Sequence, residues 1–294
     1  MKKGQASRTA EGSAAVRAIH HLHDVPRVFD DPYALEFTSP MWRGIASSSV
    51  LQWFITHVVL RSLRPIAAET VVRSRYTEDL LEQAIAGGMR QYVVVGAGFD
   101  SFALRHRDSQ PGLRVFELDH PDTQRVKVER ILSMNIELSG FVEFVAVDFE
   151  EQSVAEVLAA SSYQAVLPAF YSWLGTVPYL SNAATISTLR SIADYAAPGS
   201  ELVFDYLVPD EVLSSSERRV VEKLKRFTAR RGEPLIGEFH PDELKATLGV
   251  VGLELIENLS GVEQEGRYFA GRDDGLRPLP SSYFAHARVL NGAA

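Results

Sequence analysis

The sequence predicts an α/β fold, in which a doubly wound, seven-stranded and mostly parallel sheet carries a helical N-terminal cap and a helical insertion. Three observations support this fold class. From residue 91 onward, short β-branched runs alternate with helix-length segments, as expected for parallel βαβ units. The first run leads directly into Gly96-Ala97-Gly98, a tight turn at the carboxyl edge of a sheet. Residues 1 to 70 show helical patches and chain breakers without a strand pattern.

The composition is that of an ordinary globular protein. The 294 residues are 46% hydrophobic and 23% charged, which allows one large domain or two small ones. Acidic residues (38) outnumber lysine plus arginine (30), so no nucleic-acid partner is predicted. The chain has no cysteine, which excludes disulfides and thiolate metal sites. We predict neither a signal peptide nor a membrane span, and hence a cytoplasmic protein with no membrane partner, because the most apolar window, Val50 to Leu60, is too short. The oligomeric state stays open.

Periodicity and helix stop signals place the elements. A helix over Arg73 to Ala86 ends at Gly87-Gly88. The predicted strands cover 91–95, 113–118, 141–147, 165–171, 201–207, 253–257 and 283–289, and the helices between them cover 99–107, 121–137, 154–160, 182–197 and 241–247. Because no helix-length apolar pattern separates the last two strands, we expect a hairpin-like antiparallel pair. Residues 209 to 234 are predicted to form an exposed helical insertion.

Acidic residues follow the second and third strands at the points where those strands end. Asp119 comes about 20 residues after Gly98, the spacing at which a carboxylate binds a ribose diol in nucleotide-binding folds. Asp148 ends the third strand and precedes Phe149, a pair suited to the amino group and ring face of adenine. The alternatives are a turn that only requires glycine and two aspartates that cap the following helices. Ser101 stands in place of the third glycine of the dinucleotide fingerprint, which disfavours a nicotinamide or flavin cofactor.

Five motifs, in order along the chain, resemble those of a known family. They are Arg73 to Asp79, Val94 to Asp100, Phe116 to Pro121, Val147 to Phe149 and Trp173 to Leu180. Together they resemble the leucine carboxyl methyltransferase family, which belongs to the class I methyltransferases that use S-adenosylmethionine. Two further segments resemble the bacterial small-molecule branch of that family, namely Asp30 to Ala34 and Tyr268 to Leu276.

The resemblance implies a class I methyltransferase, Rossmann-like domain over residues 71–294, a cap over the acceptor pocket from residues 1–70, and a lid insertion at about 209–234. It implies that Arg73 binds the methionine carboxylate of S-adenosylmethionine. The other cofactor contacts that it implies are Gly96, Ala97 and Gly98 at the methionine and ribose portions, Asp119 at the ribose hydroxyls, and Asp148 with Phe149 at the adenine.

One position departs from the family pattern. Where protein-methylating members carry a glutamate before the glycine of the fifth motif, this chain has Leu174. The contact to the ammonium of the cofactor therefore falls to the Ser172 hydroxyl or to nearby backbone carbonyls. The departure also argues against a protein phosphatase as substrate.

Methyl transfer from a sulfonium is an in-line displacement, so the enzyme mainly supplies alignment and a dry site. A carboxylate acceptor needs no base, whereas a phenol, an alcohol or an electron-rich carbon gains from a group that removes a proton. His120, which follows the ribose carboxylate, and Tyr33, in the cap, are the candidates for this catalytic role. The alternative for each is packing, at a helix start for His120 and within the cap for Tyr33.

For three other groups of side chains, a structural role is favoured over a functional one. His20 to His23 could bind a metal, but no further ligand pattern supports this, so no metal site is predicted. Trp42, Trp53 and Phe54 could line an aromatic acceptor pocket or simply pack in the cap. The basic segment Glu217 to Arg231 is expected to be a solvated face of the insertion.

The sequence therefore predicts an S-adenosylmethionine-dependent methyltransferase that acts on a small-molecule acceptor of the secondary-metabolite kind. Oxygen methylation, at a carboxyl or hydroxyl group, is the first expectation, because the resembled family performs it. Carbon methylation of an electron-rich aromatic such as an indole is the main alternative. A binding protein that keeps the cofactor without turnover is a further alternative, and a dinucleotide-dependent oxidoreductase is disfavoured.

Overall fold

One seven-stranded sheet forms the centre of the structure, a computed structural model that describes residues 7–138, 140–230 and 234–290. The strands are β1 Gln91–Val95, β2 Arg114–Asp119, β3 Val142–Ala146, β4 Phe170–Trp173, β5 Glu201–Leu207, β6 Leu253–Leu259 and β7 Ser282–Val289. Their order across the sheet is β3-β2-β1-β4-β5-β7-β6. Neighbours pair in parallel except β7, which is antiparallel to both β5 and β6. The predicted seven-stranded, mostly parallel sheet is confirmed.

Helices precede, separate and follow the strands. They are α1 Arg8–His23, α2 Pro40–Ala46, α3 Ser49–Phe54, α4 Arg64–Ala86, α5 Phe102–His106, α6 Pro121–Ser133, α7 Val154–Ala159, α8 Asn182–Tyr195, α9 Ser215–Ala229, α10 Pro241–Val250 and α11 Gly261–Tyr268. The described part of the predicted cap is helical, with α1, α2, α3 and short 3₁₀ and π turns. Residues 1–6 of the predicted cap and 231–233 of the predicted insertion, Arg231 included, lie outside the described residues.

Helix α4 begins earlier than predicted. Its first residue is Arg64 rather than Arg73, and Pro65 occupies the first turn, where its missing N–H costs no helical hydrogen bond. The periodic apolar face continues through Val71 and Val72, which are buried against the sheet. The predicted domain boundary at about residue 70 therefore lies inside one continuous helix.

The last two strands form an antiparallel pair, as predicted, but the predicted hairpin-like connection is wrong. Helix α11 stands between them, and a capping box in which Ser260 and Glu263 bond to each other's backbone N–H groups starts it. Strand β4 also differs from prediction, since it spans Phe170–Trp173 rather than residues 165–171. Pro168, which has no N–H to donate to a ladder, lies in the segment that is not strand.

The apolar core lies on both faces of the sheet. Along β1, Val93 and Val95 pack into the cluster that includes α7, α8 and α10, whereas Tyr92 and Val94 pack into the cluster that includes α4. In the insertion, α9 buries Val221 and Leu224 and leaves its arginines exposed, so the expectation of a solvated face is confirmed for its described residues. Among the described residues, no helix combines the length and the apolar content that a membrane crossing requires.

The topology fixes where a ligand can bind. Strands β2 and β4 flank β1 on opposite sides, so the chain leaves the carboxyl ends of β1 and β4 in opposite directions along the sheet. Such a reversal of strand order opens a crevice at the carboxyl edge, where open α/β sheets bind their ligands.

Candidate active site

A cavity of about 710 Å³ occupies the crevice at the carboxyl ends of β1, β2 and β4, and we call it the sheet-edge cavity. Its volume is in the range of small-molecule and cofactor sites. The predicted residues that line it are Arg73, Gly96, Ala97, Gly98, Asp119, His120, Asp148, Phe149 and Ser172. Of the ten residues predicted for the site, the structure thus brings nine to one cavity, and Tyr33 is the exception.

The glycine turn after β1 forms the floor of this cavity. The Gly96 and Ala97 N–H groups donate to the Leu118 carbonyl at 2.8 and 2.9 Å, which ties the turn to β2. Gly98 has φ +51°, and a Cβ atom there would lie 3.2 Å from the Cβ of Ala10 on α1. The left-handed backbone and the close approach of α1 both favour glycine at this position.

Asp119 presents a partly satisfied carboxylate to the cavity. The Gly98 N–H donates to Oδ2, and the His120 N–H donates to Oδ1 at 2.6 Å. Burial raises the pKa of Asp119, and these two backbone hydrogen bonds counteract the rise. Since a carboxylate has about four lone-pair positions, two accepted bonds leave capacity for the hydroxyl pair of a ribose.

The two aspartates do not cap the helices that follow them. His120 is the N-cap of α6, and its Nδ1 accepts from the Asp122 N–H at 3.2 Å. Ser153 caps α7, with its hydroxyl accepting from the N–H of Glu156. The capping alternatives for Asp119 and Asp148 are therefore wrong.

The capping bond indicates the tautomer of His120. Because Nδ1 accepts a hydrogen bond, the neutral imidazole carries its proton on Nε2, which is then a donor and not a base. His120 lines the sheet-edge cavity next to Asp119. This geometry is that of the helix-start alternative, in which the ring caps α6.

Asp148 and Phe149 lie at the rim of the same cavity. The Asp148 Oδ1 accepts from the Glu150 N–H at 3.0 Å, so a local turn holds the carboxylate in place. The Phe149 side chain is not packed in a core, since the residue is 44% exposed. The exposed ring can cover the face of a planar heterocycle, and the fixed carboxylate beside it can accept a hydrogen bond from that heterocycle.

Arg73 is held beside the cavity by a buried carboxylate that the sequence analysis missed. Its Nη1 lies 3.6 Å from Oδ2 of Asp205, a buried residue of β5. The other oxygen of Asp205 accepts from the Gly175 N–H at 2.6 Å. Burial raises the pKa of Asp205, and the Arg73 guanidinium opposes the rise. The ion pair fixes the direction of Arg73 and leaves guanidinium N–H groups for a second carboxylate.

Gly175 leaves the space that Arg73 occupies. A Cβ atom at Gly175 would lie 2.5 Å from Nη1 and 2.7 Å from Nη2 of Arg73. The residue also has φ +67°, in the left-handed region. Gly175, in the fifth sequence motif, therefore leaves the room that Arg73, in the first motif, requires.

A second buried acid lies one helical turn before Arg73. Glu69 is buried, its Oε1 accepts from the Ser282 hydroxyl at 2.6 Å, and its Oε2 has no hydrogen-bond partner among the described residues. Burial, followed by the charge of Asp205, raises the pKa of Glu69 to about 8. This side chain does not line the sheet-edge cavity.

Ser172 and Leu174 both line the sheet-edge cavity on the β4 side. The Ser172 hydroxyl is 2.8 Å from the Tyr92 hydroxyl, so it already has one buried partner. Leu174 packs against the core cluster that includes α4. The ammonium contact predicted for Ser172 would share that hydroxyl with Tyr92.

Helix α1 forms a wall of the cavity that the sequence analysis did not predict. Its Arg17 is buried, pairs through Nε with Asp31 at 2.8 Å and donates from Nη2 to the Phe99 carbonyl at 2.6 Å. Burial alone would raise the pKa of Asp31, but the Arg17 and Arg105 guanidinium groups hold it below its ordinary value. The ion pair fixes the Arg17 side chain, and its hydrogen bond to the Phe99 carbonyl ties α1 to the segment that follows the glycine turn.

The C-terminal motif also secures the N-terminal segment. Arg272 is buried, pairs with Asp274 at 2.6 Å through Nη2 and donates from Nη1 to the Pro26 carbonyl. Arg64, at the start of α4, donates to the Asp274 carbonyl at 2.9 Å. The residues that resemble the bacterial branch therefore hold the loop after α1 and the start of α4.

A second cavity, of about 620 Å³, lies between α1, the α2–α4 region and α9, and we call it the cap cavity. Three residues line both cavities, namely Thr9, Ser13 and Tyr179. Trp42 lines the cap cavity, as one alternative predicted. Trp53 and Phe54 do not line it and are about half exposed, at 54% and 49%.

Tyr33 is not brought to either cavity. Its ring packs against the cluster that contains Phe37, Phe99 and Leu104. The residue starts a 3₁₀ turn whose direction is set by the Asp31 carboxylate, which accepts from the Tyr33 N–H at 3.2 Å. The packing alternative describes this side chain, and the catalytic role predicted for it has no support in the geometry.

The histidines near the N-terminus have protein partners. His20 Nδ1 lies 2.6 Å from Asp24, and its Nε2 accepts from the Val28 N–H at 2.8 Å. His21 pairs with Asp30, and His23 bonds the Ala46 carbonyl. Within the described ranges, no group of three or more histidine, cysteine or acidic residues is arranged to hold a metal ion.

Comparison with known proteins gives the family. The model of the family described as leucine carboxyl methyltransferase matches residues 10–193. The chain is 29% identical over 98% of its length to a Bacillus subtilis (strain 168) protein, of which it covers 99%, named "Putative S-adenosyl-L-methionine-dependent methyltransferase YktD". A Streptomyces coelicolor protein with the same description, SCO7813, is 33% identical over 66% of each chain. A solved structure of a DUF574 family protein from Streptomyces avermitilis covers 94% of this chain, which in turn covers 97% of that one, with TM-score 0.62 and 16% identity. The chain belongs to the leucine carboxyl methyltransferase family.

Proposed function

We propose that this S-adenosylmethionine-dependent methyltransferase transfers a methyl group to a predominantly apolar small molecule, of the secondary-metabolite kind, held in the cap cavity. The proposal rests on one observation above all. The sheet-edge cavity, with the residue set for the methyl donor, meets the cap cavity at Thr9, Ser13 and Tyr179. Two adjoining cavities match a donor and an acceptor that must meet in line.

The residues of the sheet-edge cavity fit S-adenosylmethionine. Arg73 would bind the methionine carboxylate, Asp119 would accept from the ribose hydroxyls, and Asp148 with Phe149 would hold the adenine. The open lone pairs of Asp119 and the exposed ring of Phe149 support this fit, as does the glycine turn that lets a ligand approach bare backbone. When bound, the cofactor supplies an electrophilic methyl group on a sulfonium.

The cap cavity supports an apolar acceptor. Its walls carry Trp42, Ile55, Leu60, Ile66 and Phe227, which would exclude water from the acceptor. Thr9 and Ser13 line both cavities, so they would contact the acceptor close to the reacting group. The protein then contributes to methyl transfer by aligning the acceptor with the donor and by excluding water from the acceptor.

Oxygen methylation is the reaction that we propose first. No histidine occurs among the described residues that line the cap cavity. Glu11, the only acidic residue among the described residues that line it, has one carboxylate oxygen bound by the Ser39 N–H at 2.9 Å, which directs the carboxylate to the start of α2. A carboxylic acid needs no base, since it is ionised at neutral pH, and such a site suits it better than a carbon acceptor that must lose a proton. Carbon methylation of an indole stays the alternative.

Mass spectrometry of an acceptor panel tests the proposal. Purified protein is incubated with S-adenosylmethionine and apolar carboxylic acids, phenols and indoles, and products that have gained one CH₂ are sought. Mild alkaline hydrolysis identifies carboxyl methylation, because it cleaves a methyl ester and leaves methyl ethers and C-methyl groups intact. Asp119→Ala, which removes the ribose contact, is the control that should abolish the gain. If protein that binds S-adenosylhomocysteine methylates no member of the panel, the proposed acceptor class is refuted.

A further inference from the structure

Gly12 lies inside α1, where glycine destabilises a helix relative to alanine. A Cβ atom there would meet no heavy atom of the described residues within 4 Å, apart from its chain neighbours and its own helix backbone. Its backbone is helical, so the left-handed region does not require glycine either. Neither packing nor backbone conformation explains the residue.

The space next to Gly12 belongs to the cap cavity. Gly12 lines that cavity, together with Thr9, Ser13 and Val16 from the same helix. Thr9 and Ser13 also line the sheet-edge cavity, so Gly12 is next to the junction of the two. A side chain at position 12 would therefore take up room close to the point where the acceptor must meet the donor.

We infer that Gly12 is a specificity-determining residue, whose missing side chain makes room for a wide apolar ring system lying against α1. The inference rests on the proposed function and adds the shape of the acceptor to it. The cavity offers Trp42 and Phe227 as aromatic walls for such a ring. An added methyl or isopropyl group on α1 would overlap a wide ring and leave a narrow one unaffected, because well-packed apolar sites do not absorb extra volume without strain.

Carboxylic acids of increasing ring width test the inference directly. Benzoate, 2-naphthoate and anthracene-2-carboxylate are titrated calorimetrically into protein saturated with S-adenosylhomocysteine, and methyl ester formation is measured separately. The variants are Gly12→Ala and Gly12→Val. Gly44→Ala is the matched control, since Gly44 is also within a cap helix, a Cβ there meets no described heavy atom within 4 Å, and the residue lines neither cavity.

Gly12→Val should weaken binding of the widest acid that the wild type accepts by more than about tenfold, which corresponds to about 1.4 kcal/mol. Gly12→Ala should have an intermediate effect, whereas benzoate affinity and S-adenosylhomocysteine affinity should change little. Gly44→Ala should bind the whole series as the wild type does.

The outcomes separate the inference from the function on which it rests. If Gly12→Val binds all three acids like the wild type, Gly12 does not face the acceptor and the inference is overturned. If the wild type binds none of them while S-adenosylhomocysteine binds, the inference and the apolar acceptor class both fall. If the acids bind with the expected order and no ester forms, the binding result supports the inference and the proposed reaction with acids is refuted.

Discussion

Replacing Gly175 by alanine should weaken cofactor binding by displacing Arg73. The new Cβ atom would lie 2.5 Å from Nη1 and 2.8 Å from Cζ of Arg73, well inside contact distance, so the guanidinium must move. If Arg73 bonds the methionine carboxylate, a lost charge-assisted hydrogen bond is worth about 1.5–3 kcal/mol. Affinity for S-adenosylhomocysteine should therefore fall by about ten- to a hundredfold.

Alanine at this position also introduces backbone strain, which must be measured separately. Gly175 has φ +67°, and a non-glycine residue there costs roughly 1–2 kcal/mol of folding stability. Gly199→Ala is the matched control, because Gly199 has φ +83° and a Cβ there meets no described heavy atom within 4 Å. Urea unfolding should show the backbone strain as a loss of stability in both variants, and only Gly175→Ala should lose affinity in calorimetric titrations.

A double-mutant cycle shows whether Gly175 acts through Arg73. In an Arg73→Met background the cofactor contact is already lost, so adding Gly175→Ala should change affinity little further. Wild-type affinity in the single Gly175→Ala variant would refute the reasoning. The reasoning would also be refuted if the affinity losses of the two single variants added up fully in the double variant.

Three further predictions concern ionisable side chains. Burial raises the pKa of Glu69 to about 8 from an ordinary 4.5, so between these values the native state binds a proton that the unfolded chain releases. The free energy of unfolding should therefore contain a contribution that is fully present below pH 4.5 and is lost as the pH rises towards 8. Glu69→Gln should reduce this dependence of stability on pH, measured by urea unfolding at several pH values. An equal pH dependence in both proteins would contradict the raised pKa of Glu69. His120→Ala should cost about 1 kcal/mol of stability through the lost helix cap, with turnover close to wild type, and Tyr33→Phe should leave turnover unchanged. A large fall in turnover with normal S-adenosylhomocysteine affinity in either variant would restore the catalytic role first considered for it.

The sequence predicted the sheet-edge residues well because their positions follow from local pattern and topology. A β-branched run such as Gln91–Val95 defines a buried parallel strand, and the residues that follow such strands must meet at one edge. Asp119 and Asp148 were found in this way. The choice between ligand contact and helix capping was not available from spacing, since it depended on which neighbour, His120 or Ser153, supplied the cap.

The contacts that the sequence did not predict are long-range. Asp205 is more than a hundred residues from Arg73, and nothing in the β5 pattern marks a buried acid as the partner of a helix arginine. The wall formed by α1 was missed because its small side chains, such as Ala10 and Ser13, give no strong amphipathic pattern. The small residues at helical spacing were a usable signal, because a helix that lacks large side chains on one face can approach a glycine turn closely.

Helix α1 is expected to control how donor and acceptor meet, and Asp31→Asn tests this. Removing the charge leaves the buried Arg17 guanidinium without its carboxylate, which typically costs 3–5 kcal/mol, and loosens the bond from Arg17 to the Phe99 carbonyl. Because α1 lines both cavities, a shift of about 1 Å can cost on the order of a hundredfold in turnover. Asp30→Asn is the control, since Asp30 is exposed and its ion pairs contribute little. We expect Asp31→Asn, assayed where it remains folded, to lose far more turnover than S-adenosylhomocysteine affinity. Equal effects of the two substitutions would show that α1 encloses the cavities without aligning their contents.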